Sequence, residues 1–193
     1  MKRVLLIDNY DSFTYNLVQL VEEVTNERPT VVRNDELDSV QLSDYTHVIL
    51  SPGPGIPDEA GELKSTIAKL AVLRIPTLGV CLGQQAIAEQ FGGTLSNLDQ
   101  VYHGVSGTMQ IIKQDPLFDN VPTTFEAARY HSWIVSNNNF PEELEVLCDG
   151  PKGEIMALRH KTLPILGVQF HPESILTKDG KQMIYNFINK TVN

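Results

Sequence analysis

Two cysteines occur in the 193-residue chain, and Cys81 is the one whose neighbours suit a reactive thiol. It stands at the centre of Gly79-Val80-Cys81-Leu82-Gly83. A glycine two places to either side of a nucleophile lets the backbone turn sharply and leaves room for neighbouring strands, so the side chain is thrust clear of the sheet. The helix-like segment from Gln84 to Phe91 follows, and the partial positive charge at a helix start favours the thiolate, the reactive form. A base is offered by Gly167-Val168-Gln169-Phe170-His171-Pro172-Glu173, an apolar strand ending in two ionisable side chains with one proline between them. Pro172 pushes His171 towards extended angles, and in an extended stretch residues two apart project to the same side. Cys81, His171 and Glu173 therefore read as nucleophile, base and the carboxylate that orients the base. A third segment, Ser51-Pro52-Gly53-Pro54-Gly55, again follows a strand. Its glycines expose backbone N–H groups and its prolines stiffen the loop, so it can donate to an oxyanion; a tight turn is the alternative.

These side chains need a scaffold that brings strand ends together. Arg3 to Asp8 reads as a short buried strand, and Phe13, Leu17, Leu20, Val21 and Val24 follow at helical spacing. Asp11 or Ser12 could cap that helix. Thr30 to Arg33, His47 to Ser51 and Thr77 to Val80 read as further strands, with a helix bearing Leu63, Ile67 and Leu70 before the last of them. Strands alternating with helices predict an α/β fold: a mostly parallel, doubly wound central sheet with helices on both faces and functional residues at the strand C-termini. From Val101 onward, short runs at Thr108 to Ile112, Leu144 to Cys148, Ile155 to Arg159 and Ile165 to Phe170 add a smaller antiparallel sheet. A final helix from Gly180 to Lys190 carries Met183, Ile184, Phe187 and Ile188 on one side and packs back on the sheet. A chain of this length fits one domain over residues 1–193.

Composition narrows the function classes. With 41% hydrophobic and 20% charged residues the chain has no disordered signature. A formal net charge of −9 is unsuited to neutralising phosphates, so no nucleic-acid partner is expected. The first apolar run, Val4 to Ile7, is too short for a secretion signal or membrane span, which makes the expected location cytoplasmic with no membrane partner. Cys81 and Cys148 lack the spacing of a zinc site, and no second His or acid lies at a ligand spacing from His171. Neither a metal nor a cofactor is expected. Cys148 reads as a small buried hydrophobe. His47, His103, His131 and His160 read as structural or surface residues.

Taken together, the three segments resemble those of class I, triad-type glutamine amidotransferases, and the likeness runs essentially end to end. Asp8-Asn9-Tyr10-Asp11-Ser12-Phe13-Thr14-Tyr15-Asn16-Leu17 and Tyr130-His131-Ser132 narrow it to the small subunits of anthranilate synthase and aminodeoxychorismate synthase. The resemblance implies that Cys81 attacks the side-chain amide of L-glutamine and that backbone N–H groups near Gly53 and of Leu82 hold the oxyanion. It implies that His171 protonates the departing ammonia and Glu173 keeps the histidine oriented. It also implies that Gly53, Gly55, Gln85 and the backbone of Ser132 and Trp133 hold the substrate. The ammonia would pass to a chorismate-binding synthase subunit, since about 190 residues are accounted for by the amidotransferase fold alone.

Three positions depart from the family pattern. Val105 stands where lysine is common after Tyr102-His103-Gly104, Trp133 where leucine is usual, and Gln84 where His or Met is common. Asn9, Asp11 and Ser12 leave partner contact and simple helix capping open. Two rival readings use the same features: a partner-independent γ-glutamyl cysteine hydrolase, and a non-catalytic doubly wound module binding a phosphate-bearing ligand.

Overall fold

The computed structural model describes residues 2–190, so the outermost ends of the expected 1–193 domain lie outside the described residues. In chain order the elements are β1 (Val4–Asp8), α1 (Thr14–Thr25), β2 (Thr30–Arg33), β3 (His47–Leu50), α2 (Leu63–Leu73), β4 (Thr77–Val80) and α3 (Leu82–Gln90). They continue with β5 (Leu95–Asn97), β6 (Val105–Ile111), β7 (Thr124–Arg129), β8 (Trp133–Val135), β9 (Leu144–Asp149), β10 (Ile155–His160), β11 (Ile165–Val168) and α4 (Gly180–Lys190).

Nine strands form one sheet in the order β2-β1-β3-β4-β11-β10-β9-β6-β7. The first five are mutually parallel, so the run from Ile165, expected among the antiparallel strands, instead forms β11 parallel to β4 and is antiparallel only to β10. The antiparallel strands β10, β9, β6 and β7 extend the same sheet, and β5 pairs with β8 in a small antiparallel sheet beside it. Parallel strands covered on both faces should be apolar throughout rather than alternating. β3, β4 and β11 are indeed buried along their full length.

Strand pleating divides these side chains between two cores. Val4 and Leu6 of β1 join Leu17, Val18 and Val21 of α1 and Met183, Ile184 and Phe187 of α4. Leu5 and Ile7 join Leu63, Ile67 and Leu70 of α2 and Leu82, Ala86 and Ile87 of α3 on the opposite face. Each helix lays its apolar stripe on a pleated surface, at roughly 25 cal/mol for each Å² of apolar area removed from water. The helix ends differ from expectation. α1 starts without a side-chain cap; Phe13 is its N-cap residue, and Asp11 Oδ2 instead accepts from the Phe13 N–H at 2.8 Å just ahead of the helix.

The loops leaving β1, β3, β4 and β11 all emerge at the carboxyl edge of the parallel half, where open α/β sheets gather ligands. Among the described residues, no helix is long and apolar enough to cross a membrane. No group of three His, Cys, Asp or Glu is arranged there to hold a metal ion.

Candidate active site

Cys81 occupies the single residue between β4 and α3, at φ 53° and ψ −103°. For a residue with a Cβ this is strained backbone, of a kind that persists only where the surroundings over-determine it. The surroundings are the elbow glycines. A Cβ on Gly79 would collide with the backbone of Gly83, and one on Gly83 would lie 2.7 Å from the carbonyl oxygen of Leu50 in β3. Strand and helix thus approach at backbone contact, and the Cys81 N–H donates to Val168 O at 2.8 Å, tying the elbow to β11.

His171 and Glu173 arrive from the end of β11. His171 Nδ1 lies 2.6 Å from Glu173 Oε1, with both side chains almost wholly buried. His171 Nε2 is buried and makes no protein hydrogen bond. The backbone of His171 is pinned on both sides: its N–H donates to Ala128 O at 3.1 Å, and its carbonyl accepts from Thr177 Oγ1 at 2.6 Å. Phe13 and Tyr130 set their rings against the imidazole, at 5.8 and 4.9 Å between centroids. Burial pulls the imidazole pKa down, but Cys81 and Glu173 beside it outweigh burial and raise it. The charged imidazolium is favoured where a thiolate partner would want it.

Cys81, Gly53, Gly55, Gln85, Ser132 and Trp133 line one cavity of about 200 Å³. That volume suits a small polar metabolite rather than a drug-sized ligand. Three larger hollows lie elsewhere among the described residues, and none of these three is lined by a cysteine. His171 and Glu173 lie outside the cavity wall. Leu82 is buried, and its N–H belongs to the first turn of α3, where backbone donors have no intrahelical acceptor. A Cβ on Gly53 would lie 2.7 Å from Leu82 Cδ2, so the loop after β3 and the start of α3 are immediate neighbours. Asn9 holds that loop. Its N–H donates to Ser51 Oγ at 2.8 Å, its side-chain amide donates to Ser51 O at 2.7 Å, and its own Oδ1 accepts from Asn34 at 3.0 Å. Asn9 is therefore a buried clamp rather than a helix cap or an exposed contact.

The far wall comes from the antiparallel half. Arg129 and Glu154 form a buried ion pair at 2.8 Å, with the Tyr102 ring 3.6 Å from the guanidinium carbon. Arg129 Nε also donates to His131 Nε2 at 3.2 Å, which leaves the ring proton on Nδ1, directed at Trp133 O at 3.2 Å. Burial and the Arg129 charge push the His131 pKa down to about 3, so this ring is neutral. Burial alone would raise the Glu154 carboxyl, but Arg129 and the Lys152 N–H outweigh it and hold it low. The carbonyls of Ser132 and Trp133 are already engaged, the first by Leu98 N–H at 2.7 Å and the second also by Gln85 Nε2 at 2.9 Å.

Sequence reasoning missed several of these residues. Gln169 donates from Nε2 to Cys81 Sγ at 3.4 Å, and it sits two places before His171 in the same extended run. The spacing argument that paired His171 with Glu173 could have found it. Phe13 and Tyr130 fell within family-like motifs but were given no role there, and Arg129 and Glu154 carried no signal, because the ion pair between them joins segments 25 residues apart. Of the three departures, Gln84 is fully buried and donates to Ile155 O at 3.2 Å, Trp133 lines the cavity, and Val105 is exposed at the start of β6.

A thiol on a strained elbow beside an imidazole held by a carboxylate is an arrangement suited to acyl transfer. Residues 5–191 match the family described as Glutamine amidotransferase class-I, and the chain belongs to that family. Its relatives narrow the class further. Over 187 residues it is 44% identical to the aminodeoxychorismate/anthranilate synthase component 2 of Bacillus subtilis, covering 96% of this chain and 95% of that one. It is also 44% identical over 193 residues to the bifunctional protein TrpGD of Thermotoga maritima, covering 98% of this chain but spanning only 32% of that longer protein. A crystal structure of a glutamine amidotransferase from Thermotoga maritima superposes with a TM-score of 0.83, covering 98% of this chain and 97% of that one. At 16% identity that likeness speaks for the fold alone.

Proposed function

We propose that this glutamine amidotransferase hydrolyses L-glutamine through a thioester on Cys81 and delivers the ammonia to a chorismate-aminating partner subunit. One observation carries the reading. The thiol of Cys81 lies at the cavity wall beside an imidazole whose Nδ1 is held by Glu173 and whose Nε2 has no protein partner.

Cys81 Sγ attacks the side-chain amide carbon, and the resulting oxyanion is met by backbone N–H groups near Gly53 and at Leu82. One such donor is typically worth about a hundred- to a thousandfold in rate. His171 gives its Nε2 proton to the departing nitrogen, breaking the C–N bond and releasing ammonia. The same imidazole then takes a proton from water, whose oxygen attacks the thioester and frees glutamate and the thiol. Glu173 keeps Nε2 aimed at the reacting atoms through both steps; general acid–base help of this kind contributes about a hundred- to ten-thousandfold. Free ammonia would be protonated in water, so direct transfer to a chorismate-aminating subunit preserves the nucleophile. The relative from Bacillus subtilis carries both synthase activities in its name, which supports aminodeoxychorismate, anthranilate or both as products.

The test is amination of chorismate by the chain together with its captured partner subunit, with products separated by chromatography. Cys81→Ala should abolish synthesis from glutamine and leave synthesis from added ammonium intact; equal loss of both overturns the assignment of Cys81. Anthranilate, p-aminobenzoate or both would identify the product. Glu173→Gln should impair turnover less than loss of Cys81 or His171, as suits a group that only orients the base.

A further inference from the structure

We infer that Gln169 is a positioning residue for the nucleophile: its side-chain amide is held rigidly so that its N–H points at Cys81 Sγ and stabilises the thiolate. The inference rests on the glutaminase reading above and adds a residue to it.

Three hydrogen bonds in series carry the argument. Gln85 Nε2 donates to Trp133 O at 2.9 Å and to Gln169 Oε1 at 3.2 Å. Gln169 Nε2 donates to Cys81 Sγ at 3.4 Å. An amide presents an acceptor at one end and donors at the other. Because Gln85 presents its NH₂ group to Gln169 Oε1, the Gln169 NH₂ group is left facing the sulfur. Flipping the Gln169 amide would bring two NH₂ groups together and set an oxygen against the sulfur. Gln169 is completely buried, so no water competes for this orientation, and a hydrogen bond to an ionised acceptor is about twice as strong as a neutral one.

The chain of bonds also runs from the cavity wall at Trp133 to the sulfur. Gln85 lines the cavity, so a ligand that draws on Gln85 acts on the orientation of Gln169 and through it on Cys81. The titratable and charged groups facing the Cys81–His171 pair are Glu173, Asp11, Tyr130, His131 and, across the cavity, Tyr102 and His103, and replacing Gln169 by an uncharged side chain alters none of them.

The experiment measures the rate of iodoacetamide alkylation against pH, read by mass at the Cys81 peptide so that Cys148 does not contribute. In Gln169→Met, which keeps side-chain size and removes the donor, the pH midpoint for alkylation should rise by roughly one unit, matching loss of one hydrogen bond to a charged group. Glutamine kcat should fall about tenfold with KM changed less than twofold. Gln169→Leu, which also removes the donor and adds no charge beside the sulfur, should raise the midpoint as far. It decides the matter alone if the Met variant does not fold. Unchanged midpoints overturn the inference while leaving Cys81 as nucleophile. If wild-type protein alkylated at Cys81 still hydrolyses glutamine, the functional reading falls and the inference falls with it.

Discussion

At the scale of single residues, the site concentrates strain and charge at a few positions. Cys81 holds φ 53° and ψ −103°, and such conformations cost about 1–3 kcal/mol in a residue with a Cβ. Cys81→Gly should therefore be more stable than Cys81→Ala by about 1 kcal/mol in urea denaturation, even after glycine's greater unfolded-state entropy is counted. Both variants should lack glutaminase activity. Equal stability would mean the elbow relaxes without strain. The Arg129–Glu154 pair beneath the far wall is a different kind of investment. Removing either partner from a buried pair leaves an unpaired charge, so this pair secures the placement of His131 and Trp133 whatever its net effect on stability.

At the scale of elements, the position of Cys81 depends on how closely α3 lies against β3 and β4. Alanine is the better helix former by up to about 1 kcal/mol, so propensity alone predicts that Gly83→Ala is stabilising. A Cβ there would lie 2.7 Å from Leu50 O and 2.9 Å from Leu50 Cβ, and a backbone carbonyl inside a ladder cannot swing aside. Gly83→Ala should lose roughly 1–2 kcal/mol in urea denaturation and should slow glutamine hydrolysis as α3 shifts. A stability gain would show that the helix can move away without harm. The same reasoning explains why β7 eluded the sequence reading. Thr-Phe-Glu-Ala-Ala-Arg contains two alanines and a buried arginine, few of the residues that favour strands, and it is held by pairing with β6. The three-residue strands β5 and β8 are too short for periodicity to register.

For the whole molecule, the buried histidines couple stability to pH. His47 packs edge-on against Phe187 of α4 at 5.4 Å between centroids, and burial, then the Lys2 charge, push its pKa down to about 4. His131 is pushed to about 3, and burial also lowers His160. An unfolded histidine titrates near 6.5, so between pH 6.5 and the folded values the unfolded chain binds more protons. The contribution of these three histidines is complete above about pH 6.5 and falls as pH drops towards 4. His171 is opposite in sign: its pKa, raised to about 10, gives a contribution that is complete below pH 6.5 and lost as pH rises towards 10. Urea denaturation at pH 7.5 and pH 5 should show the loss on acidification, and His47→Gln should reduce it by about 2 kcal/mol. An identical pH slope in that variant would mean His47 is already protonated in the folded state at pH 5.

The sequence alone determined the order of strands and helices from β1 to α3, because apolar runs and helical periodicity are local. It placed Ile165 to Phe170 among the antiparallel strands, whereas β11 pairs parallel with β4, a partnership between distant segments that no local pattern shows. The pairing of His171 with Glu173 was equally legible, since one proline between two residues of an extended run settles their relative direction. Glycines two places from Cys81 announced a sharp turn before any contact was known. The identity of the residue touching the sulfur was decided only in three dimensions. Gln169, Gln85 and Trp133 meet from the segment just after β11, from α3 and from β8, and no spacing rule links three segments whose distances apart in the chain reach 84 residues. Tertiary structure likewise turned Asn9 into a clamp on the loop at Ser51 and Arg129 into a buried ion. Hydrogen bonds and ion pairs between distant segments depend on where the backbone carries each group, and that is fixed by packing of the whole sheet, not by the neighbours of any one residue.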